Sequence, residues 1–294
     1  MLTLIETSPA FFVGFIFVLS LLVGSFLNVV IYRLPAMMKR GWEDEIYAYQ
    51  HPEADPDSYP NSLKNKARFN LITPNSTCPK CGHAIRPWEN IPLISWLFLR
   101  GKCSACHTSI SFRYPAIELL TAILSAWAAY KLGYSPITLA FIVGTWLLVA
   151  MTFIDIDEML LPDSLTLLFL WLGLGVIAIY EPSHMVDSVF GAIAGYMSLF
   201  TVYWLFKLAT GKEGMGFGDF KLLAAIGVWV GWQHLPIVIL LSSVVGAAIG
   251  IALMIIQKKG RTLAIPFGPY LAAAGFLTML YGDGIANWYL SALS

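Results

Sequence analysis

Charge is scarce in this sequence. Asp, Glu, Lys and Arg make up only 12% of its 294 residues while 57% are hydrophobic, against about 25% charged in a soluble domain. That excludes an ordinary water-soluble fold. Charge of either sign in excess is also missing: the net charge is zero, and no nucleic-acid partner is expected. The first ten residues hold no Lys or Arg, carry Glu6, and lead into more than twenty apolar residues. That excludes a cleavable signal peptide and reads as an uncleaved anchor with its N-terminus outside. No low-complexity tract, no convincing internal repeat and no glycine-rich nucleotide-binding fingerprint of the Rossmann kind is present. Cysteine is limited to four residues, all in one short segment.

What is abundant is apolar sequence. Runs of near-spanning length cover Phe11–Leu34, Tyr114–Tyr130, Pro136–Ile154, Leu165–Tyr180, Ser188–Phe206, Phe220–Trp232, Leu235–Ile256 and Ile265–Tyr281. Crossing the hydrocarbon takes roughly 20 helical residues, so Phe220–Trp232 needs its ends shielded by protein. Pro162 and Asp163 suit the start of the short Leu165–Tyr180 run, Asp163 as a helix cap rather than a catalyst. The expected fold is an all-α polytopic membrane protein of about eight transmembrane helices. Of the eighteen Lys and Arg, eleven lie in Arg33–Arg113, three in Lys207–Lys221, three in Lys258–Arg261, and one is Lys131. Alternate loops are therefore basic, which places those loops in the cytoplasm and both termini outside.

The one sizeable polar segment follows the first run. Met38–Asn70, with Glu43-Asp44-Glu45 and His51–Pro60, reads as a loop or insertion with little core. Cys78–Arg113 reads as a compact domain carrying Trp88, Trp96 and Phe98. Its pattern is Cys78-x-x-Cys81, twenty-one residues, then Cys103-x-x-Cys106. Each pair puts two sulfurs on one side of a tight turn, and two such knuckles supply four thiolates at about 2.3 Å from a zinc ion. A closed four-sulfur site has no open position for water, so the zinc would be structural. Two disulfides are the bland alternative, disfavoured in a reducing compartment. A haem at Cys103-x-x-Cys106-His107 would leave the other pair unexplained. His83 and His107 are expected beside the site or in solvent, not as ligands.

The second chemical feature is Gly214-Met215-Gly216-Phe217-Gly218-Asp219, which opens the short run. A carboxylate at a membrane boundary is costly to desolvate and is by default a functional candidate. Glycine lets another backbone come close. Asp155-Ile156-Asp157-Glu158 ends the third run at the same, cytoplasmic, boundary. Asp155 and Asp157 point about 200° apart on a helix, and Asp155 is the better placed to face the core. Two adjacent carboxylates cannot both ionise easily, so one holds a proton, the arrangement of an aspartic protease. From these residues alone, an aspartyl dyad, a cation-coupled transporter using Asp155 or Asp219, and solvated loop acids without function all stay open.

These motifs together resemble the type IV prepilin peptidases, bacterial inner-membrane enzymes, over nearly the whole length. The matching residues are Gly24-Ser25-Phe26-Leu27-Asn28 with Arg33-Leu34-Pro35; both C-x-x-C pairs with Asn90-Ile91-Pro92 and Trp96 between them; Arg113-Tyr114-Pro115 with Glu118; Asp155-Ile156-Asp157 through Leu161-Pro162-Asp163; Gly216-Phe217-Gly218-Asp219-Phe220-Lys221; and Ile265-Pro266-Phe267-Gly268-Pro269. The resemblance implies catalytic Asp155 and Asp219, supporting Gly216 and Gly218, and the cysteine tetrad Cys78, Cys81, Cys103 and Cys106. It implies cleavage of the basic leader of type IV prepilins and type II secretion pseudopilins on the cytoplasmic side. N-methylation of the new N-terminus from S-adenosylmethionine would follow, at a site with no assignable ligands. The chain then divides into a first transmembrane helix (1–34), a cytoplasmic cysteine domain (35–113), a protease core (114–283) and a tail (284–294). Substrate prepilins and the lipid bilayer are the expected partners. Asp157, Glu158 and Glu213 are expected to attract the leader's Lys and Arg.

Overall fold

The structure, a computed structural model, describes residues 8–62, 69–257 and 265–293; Glu6 and the basic loop Lys258–Arg261 lie outside them. The described residues form nine α-helices: α1 (Pro9–Gln50), α2 (Ile94–Phe98), α3 (Arg113–Leu132), α4 (Pro136–Glu158), α5 (Asp163–Tyr180), α6 (Met185–Thr210), α7 (Phe217–Val230), α8 (Leu235–Gln257) and α9 (Gly268–Leu293). They contain no strand, only the isolated bridges Thr77–Ala84 and Lys102–Ser109.

Among the described residues, five helical segments are long and apolar enough to cross a membrane: Pro9–Gln50, Pro136–Glu158, Asp163–Tyr180, Pro182–Thr210 and Trp232–Ile256. The protein is thus an all-helical, multi-pass membrane protein. The other three of the eight expected spans fall on α3, α7 and α9, which are not among the five. The physical reasons differ. Helix α3 carries Glu118 and Lys131. The middle of α9 is broken in character by Gly282-Asp283-Gly284. Helix α7 has fourteen residues, a length of about 21 Å, short of the roughly 30 Å hydrocarbon layer.

The chain forms two compact units, Met1–Phe15 with Leu124–Ser294, and Ile16–Ile123. In the first, α7 is packed against α5, α6 and α9, while α4 lies against α5 and α9. Phe220, Leu222, Leu223, Ala225, Ile226 and Val228 of α7 are fully buried, so protein rather than lipid sheathes this helix, as its all-round apolar sequence requires. The α6–α7 contact is backbone on backbone. A Cβ on Gly191 would run into the Gly227 carbonyl, a Cβ on Gly227 into that of Gly191, and one on Gly195 would lie 2.6 Å from the Leu223 carbonyl. Gly191 and Gly195 form a G-x-x-x-G pair, the spacing that lets membrane helices approach closely.

In the second unit α1 does not stop at Leu34. It runs through Pro35 to Gln50, and the chain after it folds back along it. The Asn61 side chain donates to the Arg40 carbonyl and to Glu43, both at 3.1 Å, and its backbone N–H donates to Asp44 at 3.0 Å. Tyr47 stacks on His51 at 4.4 Å. Residues 38–62 are therefore a helix with a clipped return and not a loop, because these side-chain clasps satisfy the backbone over a distance that local sequence does not reveal; as expected they have little core, none of them being buried, and 63–68 lie outside the described residues. Buried Arg33 donates to the carbonyls of Asn70 (3.0 Å) and Pro74 (2.7 Å). A Cβ on Gly24 would lie 2.7 Å from Glu118 Cα, and Glu118 accepts the Leu93 N–H at 2.9 Å. Gly24, Arg33 and Glu118 thus join the bases of α1 and α3 to the cysteine segment.

Candidate active site

In the first unit only two charged side chains are buried among the described residues, Asp155 (5% exposed) and Asp219 (7%). A carboxylate almost never sits inside a protein without a partner. Asp155 occupies the last turn of α4, where the helix dipole disfavours an anion; Asp157, two residues on, is exposed. Asp155 Oδ2 accepts the backbone N–H of Gly268, the first residue of α9, at 3.0 Å, and that helix N-terminus compensates. Met159, in the left-handed region (φ 52°), ends α4, and Leu161 beyond it comes against Gly268 beside Asp155.

Asp219 is the third residue of α7, and its carboxylate accepts the N–H of Gly216, the N-cap of that helix. This is half of a capping box. Asp155 acts electrostatically on Asp219, so the two groups share one site. Leu161 binds its halves together: it lies 2.8 Å from where a Cβ on Gly218 would sit, and 3.3 Å from one on Gly268. Next to Asp219, fully buried Phe220 meets the rings of Phe217 (5.3 Å), Tyr203 (5.6 Å) and Tyr196 (5.9 Å). Each such pair is worth about 0.5–1.5 kcal/mol, which fixes the first turn of α7.

The glycines of the motif do different things. Gly218 is packed against Leu161, and a Cβ on Gly214 would lie 2.8 Å from the Phe206 ring. They do not line open space. At Gly216 a Cβ would meet nothing nearer than Asp219 Oδ2 at 3.9 Å. Two acidic residues also differ from expectation. Asp163 is not a cap: Pro162 takes the N-cap position, and Asp163 accepts from Lys221 Nζ with both oxygens at 2.7 Å, tying α5 to α7 two residues beyond Asp219. Glu213 accepts from Lys207 at 2.8 Å, so its charge is already matched. That hydrogen bond holds the Glu213 carboxyl below its usual range. Leu161 and Gly268 were quoted in the motifs without a role; only the folded contact supplies one. The α6–α7 contact was signalled by Gly191-x-x-x-Gly195.

The cysteine site lies in the second unit. All four sulfurs are within 4.8 Å of one another, with Cys78–Cys106 at 3.8 Å and Cys81–Cys103 at 4.0 Å. Bonded sulfurs lie about 2.05 Å apart, so these are free thiols; a tetrahedron with 2.3 Å bonds has edges of about 3.8 Å. Two knuckles build it by the same backbone pattern. Cys78 N donates to His83 O and Gly82 N to Cys78 O; Cys103 N donates to Thr108 O and His107 N to Cys103 O, all between 2.9 and 3.0 Å. The turn residues Gly82 (φ 72°) and His107 (φ 56°) occupy equivalent places. The sequence hides this repeat because one knuckle uses glycine and the other histidine. Neither histidine joins the cluster: His107 is exposed, and His83 Nε2 lies 3.3 Å from Glu89 and 3.2 Å from Ser104.

The thiols are electrostatically unequal. Backbone N–H groups of Cys81 and Lys80 draw Cys78 down. The hydroxyl and N–H of Thr108 hold Cys106 at about 6. The His83 N–H favours a Cys81 thiolate, but the neighbouring Cys106, Cys78 and Cys103 sulfurs and burial outweigh it and push that thiol up to about 12. One thiolate suppresses the next, which a cation at the centre would reverse.

A buried carboxylate pair on two helix termini, in a multi-pass helical unit, defines a candidate intramembrane hydrolase, and comparison with known proteins narrows the class. Residues 18–132 match the bacterial peptidase A24 N-terminal domain and residues 141–251 the type IV leader peptidase family. The chain is 51% identical over 298 residues to a protein of Aeromonas salmonicida (strain A449), covering 100% of this chain and 99% of that one. It is 53% identical to one of Stutzerimonas stutzeri (97% and 96% covered) and 50% identical to one of Pseudomonas aeruginosa (99% and 97%). Each of the three is named prepilin leader peptidase/N-methyltransferase. No solved structure matches. The chain belongs to the type IV leader peptidase family.

Proposed function

We propose that this protein is a bifunctional membrane enzyme that removes the leader peptide of type IV prepilins and type II secretion pseudopilins and then N-methylates the residue exposed. The observation that carries the reading is the carboxylate pair, Asp155 and Asp219, the only charged groups buried in their unit among the described residues and each oriented by a helix N-terminal N–H. One carboxylate, ionised, takes a proton from a water as its oxygen attacks the scissile carbonyl; the other, protonated, donates to the carbonyl oxygen. Collapse of the tetrahedral intermediate breaks the C–N bond, and the proton first taken from water goes to the leaving amine. Gly216 lies on the open side of Asp219, where an extended substrate backbone approaches without meeting a side chain. Gly218 holds Leu161 against the dyad.

The cysteine tetrad holds a structural zinc; the 3.8 and 4.0 Å sulfur separations fit four thiolates on that ion. S-adenosylmethionine supplies the methyl group transferred to the freed amine. The protein sits in the bacterial inner membrane with its N-terminus periplasmic and the dyad open to the cytoplasm, which the basic loops support. Its working parts are the first transmembrane helix (1–34), the cytoplasmic cysteine domain (35–113), the protease core (114–283) and a tail (284–294). The test is mass spectrometry of a prepilin incubated with the purified enzyme, with and without S-adenosylmethionine. Leader loss in both samples, with a gain of about 14 Da only when the methyl donor is present, is the expected result; an intact prepilin rejects the peptidase and an unmethylated product rejects the transferase. A cation-coupled transporter would leave the prepilin uncut.

A further inference from the structure

The cysteine domain wears its apolar side chains outward. Trp88 is 62% exposed, Leu97 66% and Phe98 84%, and Ile94 is also exposed; of the aromatic residues Trp88, Trp96 and Phe98 only Trp96 turns in, onto Gly101 and Phe112. Ile94, Leu97 and Phe98 stand at i, i+3 and i+4 of α2, one helical face, while Ser95 and Trp96 on the other side are half-buried. A water-facing domain would show the reverse. Phe112 and Tyr114, both exposed, add apolar side chains at the start of α3, flanking Arg113.

Charge on the same segment is one-sided. Between Ile85 and Arg113 the cations are Arg86, Arg100, Lys102 and Arg113, all exposed, against Glu89 alone, four minus one leaving +3. Glu89 is turned inward onto His83. Arg86 lies over the Trp88 ring at 5.6 Å, an aromatic side chain with a cation at its polar end. By contrast Gly41–Ser58 holds six acids (Glu43, Asp44, Glu45, Glu53, Asp55, Asp57) and no Lys or Arg.

The geometry points to an interfacial docking surface: Trp88, Ile94, Leu97, Phe98 and Phe112 insert among the headgroups of the adjacent membrane leaflet while Arg86, Arg100 and Lys102 bind anionic phospholipid. Aromatic and aliphatic side chains rimmed by Arg and Lys are what an interfacial element presents, and anionic headgroups attract such cations. The occupant is lipid because large apolar groups on one helix face are paired with a net positive charge, the combination that anionic headgroups over hydrocarbon satisfy. The segment is also tied to the base of α1, a membrane-crossing helix, by Arg33, which donates to the Asn70 and Pro74 carbonyls, and to the start of α3 by the Leu93–Glu118 hydrogen bond, and this keeps it beside a bilayer. The acidic stretch Gly41–Ser58 would be repelled by the same anionic headgroups.

The full chain is placed in nanodiscs containing phosphatidylglycerol, with a photoreactive benzoylphenylalanine replacing Phe98 in one variant and Tyr49, 89% exposed beside the acids, in another. Illumination and mass spectrometry should find a phospholipid adduct at 98 roughly tenfold above that at 49. Equal yields, no adduct, or a crosslink to protein at 98 would overturn the assignment. Amide exchange over 94–99 should be slower in phosphatidylglycerol than in phosphatidylcholine discs, a difference that Arg100→Gln with Lys102→Gln abolishes; exchange indifferent to lipid charge would overturn the headgroup contact. Neither readout depends on peptidase activity.

Discussion

Replacing Gly268 by alanine should injure catalysis without injuring the fold. Gly268 is the first residue of α9 and is not in the left-handed region, so alanine fits its backbone, and glycine-to-alanine changes at compatible positions stabilise by about 0.4–1 kcal/mol through the unfolded chain. The conflict is local. The new methyl would lie 2.7 Å from Asp155 Oδ2, 3.2 Å from its Cγ and 3.3 Å from Leu161 Cδ1. Carbon atoms settle at about 3.5–4.0 Å, so the carboxylate must retreat by roughly half an ångström. A 1 Å misplacement at a reacting centre costs about 10²-fold; half of that displacement should cost roughly tenfold in kcat, about 1.4 kcal/mol of barrier. The assay is leader cleavage by purified protein in nanodiscs beside thermal unfolding of the same sample. Wild-type kcat in Gly268→Ala would refute the claim that this glycine sets the position of Asp155. A parallel collapse of Tm would show that the fold, not the carboxylate, had been disturbed.

Other substitutions separate packing from approach. Gly218→Ala should lose activity because its Cβ would sit 2.8 Å from Leu161 Cβ. Gly216→Ala should keep its Tm and raise KM, since its methyl enters open space beside Asp219; loss of thermal stability in that variant would contradict the open-side reading. Gly191→Val should lower stability by about 1–3 kcal/mol through overpacking against Gly227, read as a lower Tm, with less than additive loss when Gly227→Ala is added; unchanged unfolding would deny the backbone contact. Cys81→Ser should reduce bound zinc from about one equivalent per chain, measured by elemental analysis, because three thiolates leave the closed tetrahedron open.

Much of this arrangement was legible before folding because it depends on short spacing. The roughly 200° between Asp155 and Asp157 put one carboxylate in and one out. Two C-x-x-C pairs brought four sulfurs together, and the shortness of the Phe220–Trp232 run foretold a helix shielded by protein. What was not legible depends on partners far along the chain. Asp163 looked like a cap until Lys221, 58 residues away, took both its oxygens. Glu213 looked available to a substrate until Lys207 claimed it. Pro35 looked like the end of a span, yet α1 continues to Gln50, with the Asn61 clasp to Arg40, Glu43 and Asp44 holding the return. The outward turn of Trp88 and Phe98 was not legible because composition does not distinguish an apolar residue buried in protein from one left outside.

The account rests on Asp155 and Asp219 acting as one unit, and the most direct measurement is the prepilin cleavage rate of Asp155→Asn and Asp219→Asn enzymes whose Tm and zinc content match the wild type. Each single variant should lose on the order of 10³-fold or more, and the double variant little beyond either, because the groups share one proton and one step. Cleavage at the wild-type rate by either variant would contradict the dyad.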